Sequence, residues 1–372
     1  MRDLEEIRVR EEPLIPKEDW DGYVLSRDTS LCYHLSAWMR SVAKAYGHRC
    51  HWVVARRESR LGTVEEGQGN ICGVLPLVHI RHFILGDSFV SLPYADLGGI
   101  VADDPAVEAE LLRFAATLQA RNGAAVVELR SIGKIASAQA AQEPGVPAPA
   151  WKVLMVRDLP GDPDRLFQEF KPKLRSQIRK PEKEGMRFRL GDTTLLDDFY
   201  EVFCTNMRDL GSPVHSKDWF RAIAGEYGPM SRLGVVYREE EPVAAGLVLA
   251  CRNTLSIPWA SSVRKYNALS PNMLLYWNFL KYGCENGFGM FDFGRCTPGS
   301  GTHRFKEQWG AVATPIRRVT IGRGVRQESR GNSGDLSAEG KFTRELALRV
   351  WKRLPLDMAN YLGPKIRKYI SL

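Results

Sequence analysis

Apolar residues recur at helical spacing across residues 31–46 (LCYHLSAWMRSVAKAY), and Gly47 follows as a C-cap. His51 to Ala55 has the pattern of a strand, as do Asn70 to Ile80 and Ser88 to Tyr94. The polar stretch 59–69 between the first two predicts a hairpin loop. Asp103 and Asp104 stand before an amphipathic run, so a helix is predicted over 105–121. AAVVEL at 124–129 predicts a buried strand. Residues 136–150 are rich in Ala and Pro and predict a loop or linker, with a strand from Trp151 to Val156 after it.

The second half repeats that order. Helices are predicted over 164–170 and 171–184, with Pro172 and Pro181 breaking or capping turns. A strand at 186–190 and helices at 195–210 and 217–227 follow. Three apolar runs, 233–237, 243–251 and 254–260, predict an antiparallel meander. A helix over 272–286 ends at Gly287, and strands are predicted at 290–293 and 314–321. The expected class is therefore α/β with mixed (α+β) sheets, built from two copies of one unit. The expected boundaries are 1–155, 156–325 and a terminal 326–372, in which a Gly/Ser-rich linker leads to a basic amphipathic tail.

Length and composition fit that division. A chain of 372 residues is long for one domain, and 44% apolar with 26% charged residues is ordinary for a globular protein. Wholesale disorder, collagen-like repeats and a disulfide scaffold are excluded. The net charge of +8 is not spread evenly. Residues 171–189 and residues 341–372 each carry eight basic and two acidic side chains, which leaves −4 for the rest. Clustered charge of this kind suits an anionic partner. The N-terminal MRDLEEIRVREE has no apolar core of a secretory signal, and no run approaches the length of a membrane span. Seven cysteines without a CxxC pair read as reduced thiols. The expected location is cytoplasmic, or peripheral at the inner membrane.

The most informative stretch is Phe291-Asp292-Phe293-Gly294-Arg295, a Gly/Ser loop, then Phe305-Lys306-Glu307-Gln308-Trp309-Gly310. It resembles the DFGR…FKxxWG signature of FemAB-like proteins, within the superfamily built on the GNAT N-acyltransferase fold. KLRSQIRKPEKEG, GVLPLVHI…GDSFVSLPYADLGG and the tail WKRLPLDMANYLGP are similar to further segments of that family. Together they look most like a subgroup found in exosortase/PEP-CTERM and exopolysaccharide gene neighbourhoods. The resemblance covers nearly the whole chain. It implies two tandem GNAT-like domains, and an enzyme that moves an acyl or aminoacyl group to an amine. Characterised relatives take an amino acid from aminoacyl-tRNA and place it on a peptidoglycan precursor.

Each candidate residue has a functional and a bland reading. Asp292, between two aromatics at a strand end, could orient or deprotonate an attacking amine, or could pair with Arg295 or cap the next loop. Lys306 could stabilise the negative charge that builds on a carbonyl oxygen, the role the resemblance implies; otherwise it is a solvated lysine on a short helix. Arg295 and Arg304 flank Gly299-Ser300-Gly301 and could clamp a phosphate, or border an ordinary mobile loop. His303 could act as a base or be a surface residue. Lys173, Arg175, Arg179 and Lys180 offer a face for a phosphate backbone, or a solvated one. Tyr94 and Asp96 enter as substrate-binding candidates by the family match, against a plain turn in the first domain, and Trp309 of the FKxxWG segment is a further substrate-binding candidate. Tyr276, Trp219, Trp259 and Trp277 are expected in the core. The tail 341–372 suits a membrane surface, its own protein or a dimer contact.

One departure bears on the donor. Acetyl-CoA-dependent members of the superfamily carry a Q/R-x-x-G-x-G/A turn that holds pyrophosphate at a helix N-terminus. Here the corresponding Arg264 to Asn272, RKYNALSPN, lacks it. The expected donor is therefore bound to tRNA or another carrier, with acyl-CoA as the alternative co-substrate, and no metal is required. The expected acceptor is an amine of an anionic envelope or polysaccharide precursor. Competing readings are an acyl-CoA N-acetyltransferase on a small amine and a non-catalytic binding module of this fold.

Overall fold

The computed structural model describes residues 5–59, 69–82, 86–132, 152–322 and 348–371. The expected linkers at 136–150 and 325–340, and most of the expected hairpin loop at 59–69, lie outside these residues. The chain divides into two compact units, residues 1–151 with 315–329 and 371–372, and residues 152–314 with 330–370.

The first unit holds β1 (Glu5–Glu11), α1 (Lys17–Leu25), α2 (Ser36–Tyr46), β2 (Arg49–Ser59), β3 (Asn70–Ile80), β4 (Ser88–Val90), β5 (Val101–Ala102), α3 (Pro105–Asn122) and β6 (Val126–Ile132). Its sheet runs β1-β2-β3-β4-β6, with β5 beside β3. Neighbours are antiparallel except β4 and β6, the parallel pair on either side of α3. α3 starts where Asp104 accepts from the amides of Ala106 and Val107, and stops at Gly123 in the left-handed region. Val107, Leu111 and Ala115 on its inner face pack on Val53, Cys72, Leu75 and Phe89. Gly73 lets the helix approach: a Cβ there would stand 2.5 Å from Val107 Cγ1. β4 is shorter than expected, because Leu92 and Tyr94 take positive φ and turn the chain after Val90.

The second unit opens with β7 (Lys152–Asp158), the strand that spans the expected boundary at 155. After it come α4 (Pro163–Glu169), α5 (Pro172–Lys183), β8 (Met186–Gly191), α6 (Leu196–Leu210) and α7 (Lys217–Tyr227). Then follow β9 (Ser231–Arg238), β10 (Glu241–Cys251), β11 (Thr254–Ser262), α8 (Pro271–Glu285), β12 (Met290–Cys296) and α9 (Gly301–Glu307). The sheet order is β7-β12-β11-β10-β9-β8. β9 to β11 form the expected antiparallel meander, and β8 adds to it antiparallel to β9. β11 and β12 are parallel around α8, the same arrangement as β4, α3 and β6. Pro172 sits at the start of α5, where its missing N–H costs nothing. The Gly/Ser stretch expected as a loop between the two motif halves yields to helix from Gly301, capped by Ser300 Oγ accepting from the His303 amide at 3.1 Å.

β13 (Val312–Ile321) pairs antiparallel with β6 from Ile316 to Ile321, so residues 315–321 complete the sheet of the first unit. α10 (Leu356–Arg367) then belongs to the second unit. All seven cysteines are free thiols, six of them buried. Among the described residues no helix is long and apolar enough to cross a membrane.

Candidate functional site

β11 and β12 share three residue pairs, Thr254–Met290, Leu255–Phe291 and Ser256–Asp292. β11 then runs on to Ser262 and β12 to Cys296 without further pairing between them. The two strands part at Ser256 and Asp292, and both side chains are buried there. On its other side β12 slips register against β7 between Asp292 and Arg295. Gly294 sits in that slip at φ 75°, and its amide donates to Asp292 Oδ1 at 2.7 Å. A glycine is favoured here because a residue without a Cβ takes this left-handed backbone at little steric cost. The sequence DFG thus fixes an acid at the fork of two strands.

Lys306 approaches β12 from α9. Its ammonium donates to the Arg295 carbonyl at 2.8 Å, and the side chain is 5% exposed. This overturns the reading of Lys306 as a solvated lysine. Lys152 adds another cation nearby, bonding Thr297 Oγ1 at 2.6 Å. Burial first, and the charge of Arg295 second, lower the Lys152 pKa. Sequence reasoning missed Lys152, since nothing local links it to a loop 145 residues away.

The remaining predicted residues divide. Arg295 is half-buried, while Arg304 is exposed and turns back to the Gly299 carbonyl at 2.9 Å. That bond engages Arg304 within its own turn. Gly299 (φ 72°) and Gly301 have open space where a side chain would stand. His303 is half-buried on α9, and its ring has no hydrogen-bond partner among the described residues. Trp309 is a correction. It is fully buried against Phe170, Tyr276 and Phe305, with ring centroids 5.5, 6.2 and 6.3 Å away, so it anchors α9 and presents no surface to a substrate. Tyr276, expected in the core, is half-buried. Its ring stacks on Phe293 at 5.8 Å and meets Phe305 edge-on at 5.0 Å, beside the two motif residues. Burial raises its phenol pKa, and the hydroxyl makes no hydrogen bond among the described residues.

Basic α5 buries Leu174, Ile178 and Pro181 and exposes Lys173, Arg179 and Lys180, with Arg175 half-buried. The Arg179 guanidinium lies 5.0 Å from the Phe167 ring, and Phe167 packs on half-exposed Trp277 at 5.0 Å. Lys180 bonds the Ala268 carbonyl at 2.7 Å. That carbonyl belongs to a 3-10 helix, Arg264–Leu269, which occupies the connection from β11 to α8.

Tyr94 and Asp96 lie in the first unit, where the equivalent fork is filled. β4 and β6 also share three pairs, ending at Val90–Glu128. Beyond them the turn at 91–99 and fully buried Arg130 take up the space. Arg130 donates to the Ala95 carbonyl at 2.8 Å and lies 3.3 Å from Glu128. Tyr94 is 6% exposed and its hydroxyl meets His48 Nε2 at 3.1 Å, so the expected substrate-cleft edge is a packed turn. Asp96 is half-buried in the same turn.

Residues 168–307 match the family described as Acetyltransferase (GNAT) domain. Among solved structures the chain is similar to FemX, with TM-score 0.63 at 15% identity over 83% of this chain and 95% of that one. The fold is that of tandem GNAT-like domains. A tandem GNAT protein from the clavulanic acid biosynthesis pathway aligns with TM-score 0.52 at 12% identity, over 85% and 98% of the two chains. L-PGS from Bacillus licheniformis aligns with TM-score 0.52 at 14% identity, over 91% and 98%. No curated protein matches the sequence.

Proposed function

We propose that this protein is a FemAB-like acyltransferase that moves an acyl or aminoacyl group from an activated carrier to an amine. The observation that carries the reading is the buried ammonium of Lys306, held on the Arg295 carbonyl three residues beyond Asp292 at the fork of β11 and β12. In the transfer, the amine nitrogen attacks the carbonyl carbon of the donor ester or thioester. The Lys306 ammonium stabilises the oxyanion that forms. Asp292 accepts the proton lost by the amine. The oxyanion collapses to an amide, and the carrier leaves as the alcohol or thiol after taking up a proton.

The donor is read as a tRNA or another macromolecular carrier. The 3-10 helix at Arg264–Leu269 and the Lys180–Ala268 bond occupy the connection where a glycine-rich pyrophosphate turn would stand. Exposed Arg179, beside the Phe167–Trp277 pair, offers phosphate contact next to aromatic rings, a combination that suits a single-stranded nucleotide end. The acceptor is read as an amine of a cell-envelope or exopolysaccharide precursor, in keeping with the PEP-CTERM-associated resemblance. The protein would meet it from the cytoplasm, at the inner membrane face.

The match to an acetyltransferase family favours a second reading, an acyl-CoA donor with a small amine acceptor. Titration calorimetry with acetyl-CoA and longer acyl-CoAs separates the two; tight binding would replace the first reading by the second. The deciding test of catalysis is Lys306→Met in a transfer assay with aminoacyl-tRNA. The expected loss is about 10²–10³-fold in kcat, the scale of one oxyanion-stabilising group. Full activity in a folded variant would sink the mechanism.

A further inference from the structure

The proposed reaction leaves the C-terminal segment unused. Residues 348–352 are helical, and α10 follows. α10 is pinned to its own unit along one face. Ala359 is buried, and a Cβ on Gly363 would stand 2.8 Å from the Val214 nitrogen. Asn360 Nδ2 reaches Cys204 Sγ at 3.4 Å, and Arg367 Nε donates to His215 Nε2 at 3.0 Å.

Much of the rest of the segment is exposed among the described residues. Thirteen large apolar side chains are exposed among the described residues, and six of them fall within 348–370. They are Leu348, Val350, Met358, Tyr361, Ile366 and Ile370, from 36% to 66% exposed. Leu210, 59% exposed, extends the patch, because neighbouring Gly211 lies against Leu348 and Lys352. The same stretch, 348–371, carries six basic residues and one acid, net +5. Lys365 Nζ lies 3.6 Å from the Tyr361 ring centre, so a cation and an aromatic face are presented together.

We propose that residues 348–371 form a docking surface for an anionic lipid bilayer. The exposed apolar side chains enter the interface, and the lysines and arginines pair with lipid phosphates. Contacts through Ala359, Asn360, Gly363 and Arg367 hold α10 against its own unit, and Met358, Tyr361, Lys365 and Ile366 remain exposed among the described residues. Charge argues against a second copy as the occupant. A two-fold contact would press this +5 surface against itself. The proposal names the partner behind the membrane-face location given above. Its test reads binding rather than transfer, so either can fail alone.

The test is co-sedimentation of the full chain with vesicles, either phosphatidylcholine alone or equal parts phosphatidylglycerol and phosphatidylcholine. Binding to the anionic vesicles is expected to be at least about tenfold tighter, and to weaken as salt shortens the Debye length. Two double variants probe the surface, Met358→Asp with Ile366→Asp, and Lys365→Glu with Lys368→Glu. Each should weaken anionic binding by about tenfold or more with the melting temperature unchanged. Equal binding to both vesicles, or variants that bind like the parent, would overturn the proposal. So would light scattering that shows a lipid-free dimer dissolved by the aspartate pair.

Discussion

Ser256 and Asp292 are the last residues that β11 and β12 pair, and Asp292 holds the Gly294 amide at 2.7 Å where the strands separate. The carboxylate therefore has a structural duty and a proposed chemical one. Asp292→Asn divides them. The amide oxygen can still accept from Gly294, so the fold should persist, while proton acceptance is lost. Transfer should fall by about 10²–10⁴-fold, the range of one general base, with stability nearly unchanged. If transfer survives and the melting temperature drops, Asp292 is a structural acid alone.

Tyr276→Phe probes the aromatic side of the same fork. The hydroxyl has no hydrogen-bond partner among the described residues, so its removal orphans nothing in the protein. Thermal stability should stay within about 0.5 kcal/mol, as for a change that breaks no named interaction. A fall of about tenfold or more in transfer would make the phenol a ligand contact. Unchanged activity would return Tyr276 to the packing role that its sequence context suggests.

Gly73 tests the packing of the first unit. The glycine lies on β3 beneath α3, and a Cβ would meet Val107 Cγ1 at 2.5 Å and Leu111 Cδ1 at 2.9 Å. Gly73→Ala should destabilise by about 1–3 kcal/mol through overpacking. Urea unfolding measures it, and Gly73→Ala with Val107→Ala should recover part of the loss. A neutral Gly73→Ala would mean that α3 shifts freely on the sheet.

Much of this architecture is written in periodicity. The helix at 105–121 and the strand Asn70–Ile80 stand within a residue of their predicted ends, because each has a long regular pattern and a clear cap or turn. The fork is legible only as a motif. DFG marks it, but the parting of β11 from β12 depends on pairing between segments far apart in sequence. α9 was obscured by Gly299 and Gly301, which look like loop, although Ser300 caps a helix there. β1 and α1 have no confirming signal in a polar N-terminus. The burial of Lys306 was invisible too, since its partner is a backbone carbonyl, which carries no sequence identity.

Buried histidines set the acid limit of stability. His215 is 2% exposed, and burial, helped by the Arg367 charge, holds its pKa well below the ordinary value. Arg367 donates to His215 Nε2, so that nitrogen is an acceptor and the ring is neutral. Burial also lowers His34 to about 4, and its Nδ1 accepts the Leu31 amide. A histidine pKa depressed in the folded state means that the unfolded chain binds more protons below about 6.5. Stability should be level above about pH 6.5 and fall as pH drops below it. Each such ring contributes at most about 1.4 kcal/mol per pH unit, and the His34 contribution is exhausted below about 4. Urea unfolding from about pH 7.5 to about pH 5 measures the slope. His215→Phe can occupy the stack on Trp219 at 5.6 Å, and Arg367 keeps its bond to the Ile370 carbonyl at 2.9 Å. The variant should show a shallower slope than the parent protein. Equal slopes would mean that His215 titrates normally, and that α10 is not held by a neutral imidazole.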